Sequence, residues 1–297
     1  MTQIMNDEVI CLKKYLTEKE LEDVYALQNI CKREDNVNLK LELDYRRGLN
    51  KTVTPGLKDI DEFLYYADGK LVAYLSISCF GGNIGEITGM THPEWRRNGL
   101  FNRLYQLARN EYLHRNFNRV LLLADRSSES GAGFAKAIGA SYEFSEYRMS
   151  LPEISPVNEG GPVTLRIAGS KDIREIRRQN SIYFDDIDDE GLQPEDLELS
   201  DTTAYLVMQN DKILGKIEVD FYEASAYILG FGILPAYRGR GYGRAALQEA
   251  LRLITERGIR KAELDVVCTN SSALHLYQSC GFREESVMDY YRLEPNA

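Results

Sequence analysis

The segment Pro235-Ala236-Tyr237-Arg238-Gly239-Arg240-Gly241-Tyr242-Gly243 places three glycines and two arginines within six residues, 238–243. It follows an apolar run, AYILGFGILP, and precedes a stretch with Ala246, Leu247, Ala250, Leu251 and Ile254 at helical spacing. At such a strand-to-helix turn the first backbone N–H groups have no intrahelical partner, and the helix dipole favours an anion such as a pyrophosphate. Glycine lets the backbone approach phosphates without a Cβ clash, and Arg238 and Arg240 add positive charge. Two other readings of the turn stay open. Glycines also build ordinary turns, and Gly241, Gly243 and Ala246 spell the G-x-G-x-x-A of a dinucleotide-binding unit. That unit wants an acidic residue near the end of the next strand, about 20 residues on. Here the next strand-like run, KAELDVV, carries Glu263 and Asp265 too early and ends in Cys268-Thr269-Asn270. A phosphate loop of the G-K-[ST] type is excluded, because no such residues follow.

Outward from the turn, the pattern predicts a helix from about Arg244 to Arg257, closed by Gly258, and then the strand KAELDVV. Asn270 or Ser271 is placed to cap a short helix holding Ala273, Leu276 and Tyr277, which Gly281 ends before a last strand near Phe282. Upstream, AYLVMQ and ILGKIEV flank Asn210-Asp211 and read as a β-hairpin. Ser170 is a candidate cap for DIREIRRQN. Gly230 and Gly232, inside the apolar run, permit a bulge or a close backbone approach.

The same plan occurs earlier in the chain. Pro93 and Pro235, Arg96 and Arg238, Gly99 and Gly241, and Gly139 and Gly281 are all 142 positions apart. Asp68-Gly69, between FLYYA and LVAYLSIS, matches the hairpin at Asn210-Asp211, and Thr17 with Glu20 forms a capping box before Leu21, Val24, Tyr25 and Ile30. The segment SLPEISPVNEGGP gathers prolines and glycines that disfavour helix and central strand. The expected organisation is therefore a mixed α/β class with a mixed sheet, repeated as two domains, 1–150 and 163–297, about a linker at 151–162.

Composition narrows the chemistry. With 43% hydrophobic and 28% charged residues, the chain has the balance of a packed globular protein. A formal net charge of -10 opposes binding to nucleic acid and tolerates a cationic partner. Three histidines and five scattered cysteines, with no C-x-x-C spacing, offer neither a metal centre nor a disulfide framework. The first residues lack the apolar core of a signal peptide, and no apolar run is long enough to span a bilayer, so no membrane association and a cytoplasmic location are expected.

Pro235-x-Tyr237-Arg238-Gly239-x-Gly241-x-Gly243, followed by Asn270-x-x-Ala273-x-x-x-Tyr277-x-x-x-Gly281-Phe282, resembles the GNAT superfamily of acetyl-CoA-dependent N-acyltransferases. The resemblance implies that each half is a GNAT-like domain, in a tandem plan similar to that of mycothiol synthase. It implies that acetyl-CoA lies in a splay between AYILGFGIL and KAELDVV, leaving coenzyme A as product. The cofactor would be held by Phe231, Gly232, Ile233 and Leu234 along the strand and by Arg238, Gly239, Arg240, Gly241, Tyr242, Gly243 and Arg244 at the turn. Asn270, Ala273 and Tyr277 complete the implied cofactor site, and Tyr277 is the implied catalytic acid, protonating the departing thiolate. The implied reaction is direct attack of a primary amine on the acetyl thioester, with no metal.

In the first half Pro93-x-Trp95-Arg96-Arg97-x-Gly99-x-Phe101 resembles the family less well, and Ser128 and Ala135 stand where Asn270 and Tyr277 stand in the second. That half is expected to be degenerate and catalytically silent. No general base is assigned. Many members place a glutamate where this chain has Ile228, with Glu86 at the matching place in the first half, and Glu218, Asp220 and Glu223 are alternatives acting through water. The acids Asp185, Asp186, Asp188, Asp189 and Glu190 suit a cationic small-molecule or peptide acceptor, although a solvated charge run has the same composition. A non-catalytic acyl-CoA sensor or interaction protein on the same fold is the alternative.

Overall fold

In a computed structural model of the chain, residues 7–49, 59–80, 83–155, 161–184 and 202–294 are described. They fall into two compact units: unit 1 is Met1–Ser145 with Ser286–Ala297, and unit 2 is Glu146–Glu285. The first half of the chain runs β1 (Glu8–Lys13), α1 (Glu18–Asp35), α2 (Leu43–Leu49), β2 (Glu62–Ala67), β3 (Lys70–Ser78) and β4 (Ile84–Thr91). It continues through α3 (Leu100–His114), β5 (Arg119–Asp125), α4 (Glu129–Ala137) and β6 (Ser141–Leu151). The second half runs β7 (Thr164–Ile167), α5 (Ile173–Tyr183), β8 (Thr202–Gln209), β9 (Lys212–Phe221) and β10 (Ala226–Ile233). It ends with α6 (Tyr242–Glu256), β11 (Ala262–Val267), α7 (Ser271–Ser279) and β12 (Arg283–Arg292). From β4 and β10 onward, the strand, the 3-10 turn, the helix α3 or α6 and the helix α4 or α7 recur at the offset of 142 read from the sequence.

Each unit is built on a mixed sheet. In unit 1 the strands lie in the order β1-β2-β3-β4-β5-β12, and in unit 2 in the order β6-β11-β10-β9-β8-β7. Strand β12 pairs antiparallel with β5 through Met288↔Asp125 to Arg292↔Leu121, and β6 pairs antiparallel with β11 through Leu151↔Ala262 to Glu146↔Val267. The final strand of each sequence half thus completes the sheet of the other unit. The domain assignment read from the sequence follows the chain, whereas compactness follows these strands. Within the two sheets as described, β4 with β5 and β10 with β11 run parallel, and α3 and α6 supply the crossovers that parallel neighbours need.

Local sequence explains the elements. Thr17 and Glu20 form the expected capping box of α1, and the hairpin at Asp68-Gly69 is made by two residues with φ of 48° and 73°, the left-handed pair of a tight two-residue turn. Helix α6 begins at Tyr242, two residues before the predicted start, because Gly241 takes a φ of 81° and turns the chain directly into the helix. Its Leu247, Leu251 and Ile254 are buried in one cluster with Ile217, Val219 and Ile228. Burying such side chains contributes roughly 1.5–3 kcal/mol each. On the other sheet face, Ile176 of α5 packs with Ala204 and Leu206 of β8. The Ser170 cap is not formed: residues 170–172 make a 3-10 turn, and it is Asp172 whose carboxylate accepts from the Gly169 N–H and from Arg166. No helix among the described residues is long and apolar enough to cross a membrane.

Candidate active site

In unit 2 the parallel pairing of β10 with β11 covers Ala226↔Ala262 to Ile228↔Leu264 and stops, although both strands continue, to Ile233 and Val267. The strands splay from that point. On its other side β10 loses register with β9 between Leu229↔Glu218 and Gly232↔Lys216, so Gly230 and Phe231 together face the single residue Ile217. This is a β-bulge, and Gly230 within it has a φ of 54°. A Cβ at Gly230 would stand 2.6 Å from the carboxyl carbon and Oε2 of Glu218, and one at Gly232 2.5 Å from the ring of Tyr183. The bulge that these glycines permit is thus formed, and a Cβ at either would push the Glu218 carboxylate or the Tyr183 ring aside. Among the four strand residues expected at the thioester, the amide of Leu234 is committed to the sheet, donating to the Leu214 carbonyl at 2.8 Å. The bulge residues Gly230 and Phe231 have no partner in the β9 register.

The glycine turn follows immediately. Gly239 and Gly241 have φ of 73° and 81°, and a Cβ on either would meet nothing within 4 Å, so the space over the turn is open. Gly241 is the N-cap of α6, makes no side-chain cap, and no acidic residue occupies the first helical turn. The N–H groups of Tyr242, Gly243 and Arg244 therefore stand at a helix N-terminus with no carboxylate competing for them. Arg238, Arg240 and Arg244 are exposed around this opening. This glycine cradle and its cationic rim fit the pyrophosphate of an acyl-CoA. Arg238 also serves the backbone, because its Nε donates to the Ile233 carbonyl at 2.8 Å and ties the turn to the end of β10. A Cβ at Gly243 would stand 3.4 Å from Leu276, 3.8 Å from Ile233 and 4.0 Å from Phe231, so the turn borders both α7 and the splay.

Asn270 caps α7, its Oδ1 accepting from the Ala273 N–H at 3.2 Å. Tyr277, on the same helix, is 7% exposed, lies in the cluster containing Ile233, and stands edge-on to Phe282 at 6.1 Å. Burial pushes its hydroxyl up to about 12, so at neutral pH it holds its proton.

On the face of the sheet toward α5, sequence reasoning named Glu218 as one alternative base but missed its neighbours Lys216, Tyr183 and Phe184. Lys216 is 1% exposed, and its Nζ donates to Glu218 Oε1 while lying 5.7 Å from the centre of the Phe184 ring. Tyr183, whose ring covers Gly232, donates its hydroxyl to Gln179 Oε1 at 2.9 Å. A lysine within the apolar run ILGKIEV was the available signal. The acids Asp185, Asp186, Asp188, Asp189 and Glu190 lie outside the described residues.

Unit 1 repeats the splay but not the bulge. Strands β4 and β5 pair from Ile84↔Arg119 to Ile87↔Leu122 and then diverge, whereas β3 and β4 pair without interruption from Ala73↔Thr91 to Ser78↔Glu86. A cavity of about 300 Å³ occupies this splay, lined by Met90, Arg96, Gly99, Phe101, Leu123 and Phe134 among others. Arg96 is tied to the Thr91 carbonyl at 3.1 Å, as Arg238 is to Ile233, and is also paired with Asp35. Burial pushes the thiol of Cys31, which also lines the cavity, up to about 11, so it is no nucleophile at neutral pH. Behind the site Arg46 and Glu62 form a buried ion pair, with Tyr74 donating to the second carboxylate oxygen at 2.5 Å and Arg46 donating to Ser76 at 2.9 Å. Ala135 carries no hydroxyl at the place of Tyr277.

Residues 171–282 match the Acetyltransferase (GNAT) family. The chain is 37% identical over 71 residues to an uncharacterized N-acetyltransferase, YycN, of Bacillus subtilis, a match covering 24% of this chain and 46% of that protein. It is 38% identical over 76 residues to a mycothiol acetyltransferase of Clavibacter sepedonicus, covering 26% of this chain and 24% of the relative. The chain thus spans about half or less of the length of these two relatives. A solved tandem GNAT protein from the clavulanic acid biosynthesis pathway superposes with a TM-score of 0.70 at 15% identity, over 97% of this chain and 99% of that one. The chain has the tandem GNAT fold over nearly its full length, and the family's sequence pattern lies in the second half.

Proposed function

We propose that this tandem GNAT-fold chain is an N-acetyltransferase that moves an acetyl group from acetyl-CoA to a primary amine, and that the chemistry takes place in unit 2. The observation that carries this reading is the junction of a splayed parallel strand pair, a glycine bulge and an acid-free, arginine-rimmed helix N-terminus at one end of β10. Acetyl-CoA, when bound, supplies an acetyl group already activated as a thioester. The amides of the Gly241–Arg244 turn and the side chains of Arg238, Arg240 and Arg244 bind the pyrophosphate. The amides of Gly230 and Phe231 donate to the carbonyl oxygen as negative charge develops there, and they act without reorganisation because the bulge fixes them. Tyr277, protonated at neutral pH, gives its proton to the departing sulfur. Orientation supplies much of the acceleration, since the two reactants need only be held in attack geometry.

Three differences support a silent unit 1: β4 has no bulge against β3, Ala135 replaces the tyrosine, and the α2 side is filled by the Arg46–Glu62–Tyr74 network. The acceptor class is a primary amine, and the Glu218–Lys216 pair with Tyr183 and Phe184 forms one wall of its approach. Calorimetric titration with acetyl-CoA, followed by thiol release in the presence of a panel of primary amines, tests the reading. Tyr277→Phe, which keeps the ring and removes the hydroxyl, should lower turnover about 10²-fold or more with little loss of acetyl-CoA affinity. Failure to bind acetyl-CoA overturns the reading.

A further inference from the structure

We propose that Glu218 is the group that takes the proton from the attacking amine, with Lys216 as the residue that positions it. The inference rests on the acyltransferase reading of unit 2 and supplies the base that the sequence left unassigned, since Ile228 stands where many members of the family have a glutamate. The carboxylate is not merely on a nearby strand. Its carbon and Oε2 lie 2.6 Å from the place a Gly230 Cβ would occupy, so it lies against the bulge to which the acyltransferase reading assigns the oxyanion donors. Proton acceptor and oxyanion donors therefore sit side by side.

Three further features distinguish Glu218 from a structural carboxylate. Only Oε1 is engaged, by Lys216 Nζ, and among the described residues no hydrogen bond reaches Oε2. The side chain is 19% exposed, which leaves a route for the proton to water, whereas Lys216 is 1% exposed and held beneath the Phe184 ring. Taking a lysine out of water to hold one carboxylate gains little stability over an apolar residue in the same place, so its presence calls for a use. Unit 1 shows the closed version of the arrangement. Tyr74 and Ser76 stand 142 positions before Lys216 and Glu218, and the buried carboxylate there, Glu62, has both oxygens taken, by Arg46 and Tyr74.

In the balanced step an alkylammonium first gives one proton to Glu218 Oε2, which passes it to water; the neutral amine nitrogen then bonds to the acetyl carbon and loses its second proton to the same oxygen, while the carbon–sulfur bond breaks and the sulfur takes the proton of Tyr277. Glu218 then releases its proton to water, and Tyr277 regains one.

The test compares two acceptors in the full-length protein, an alkylamine, which is an ammonium at neutral pH, and an arylamine, which is already neutral and sheds its proton easily once acylation begins. Glu218→Gln should lower kcat/KM for the alkylamine about 10²–10⁴-fold and that for the arylamine far less, with acetyl-CoA binding by calorimetry unchanged. Equal losses for both amines would reduce Glu218 to a structural residue, and no loss for either removes it from the reaction; each overturns the proposal. Should Glu218→Gln not fold, Glu218→Asp keeps the charge toward Lys216, draws the carboxylate back by one methylene, and carries the same comparison. A wild-type protein that neither binds acetyl-CoA nor acetylates either amine overturns the acyltransferase reading first, and the role of Glu218 with it.

Discussion

Gly230→Ala is the perturbation that bears most directly on the site. The φ of 54° at this position costs a residue with a Cβ about 1–2 kcal/mol. The second effect is steric. Carbon–carbon contact lies at about 3.5–4.0 Å, and the added Cβ would stand 2.6 Å from the Glu218 carboxyl carbon, so the carboxylate or the bulge must withdraw by about 1 Å. Lys216 follows, because it is bonded to the same carboxylate. A misplacement of about 1 Å at reacting groups costs about 10²-fold in rate. Gly258→Ala separates the two effects: Gly258 has a φ of 80° and nothing within 4 Å of an added Cβ, so it carries the backbone cost alone. The assay is urea denaturation of both variants beside turnover with acetyl-CoA and an alkylamine. The expected result is a loss of stability in Gly230→Ala at least as large as in Gly258→Ala, and a fall in kcat of about 10²-fold in Gly230→Ala only. Turnover of Gly230→Ala at the wild-type rate would mean that the bulge does not hold the reacting groups, and would refute the placement of the chemistry there.

Asn270→Ala removes the cap of α7 and should cost about 1 kcal/mol, read as a lower denaturation midpoint; any change in acetyl-CoA affinity beyond that loss would show that Asn270 also meets the cofactor. Arg46→Met leaves Glu62 charged and unpaired in the interior and should destabilise unit 1 by about 3–5 kcal/mol, while Arg46→Met with Glu62→Leu recovers most of the loss. Folded protein of that double variant should retain acetyl transfer, since the chemistry is assigned to unit 2. Burial raises the Tyr277 hydroxyl to about 12 in the folded protein, so its neutral form stabilises the fold fully below the ordinary tyrosine range and this contribution is lost as the pH climbs from about 10 to 12. The loss across that window amounts to about 3 kcal/mol, and Tyr277→Phe should show a correspondingly shallower fall in alkaline stability.

The repeat, the hairpins, the glycine turn and the capped helix α7 were legible in the sequence because each is written locally. Left-handed turn residues, apolar periodicity and cap residues act over a few positions, and the 142-residue offset holds across strand, turn and helices. The Ser170 cap failed on the same scale: residues 170–172 close into a 3-10 turn in which the Ile173 N–H donates to the Ser170 carbonyl, so the backbone meets that donor and the hydroxyl has no capping role.

What the sequence by itself determined is the succession of elements and the one site made of contiguous residues, the Arg238–Arg244 turn at the start of α6. Only the tertiary structure decided which strands complete each sheet, since β12 joins β5 and β6 joins β11 through pairings between residues more than a hundred positions apart. It also decided that β10 carries a bulge where β4 has none, and that Glu218 lies against it. The physical reason is the same in each case. Turns and caps are set by the dihedral preferences and hydrogen bonds of neighbours in sequence, whereas strand partnership, register and the neighbours of a carboxylate depend on contacts that the chain makes only once it has closed upon itself.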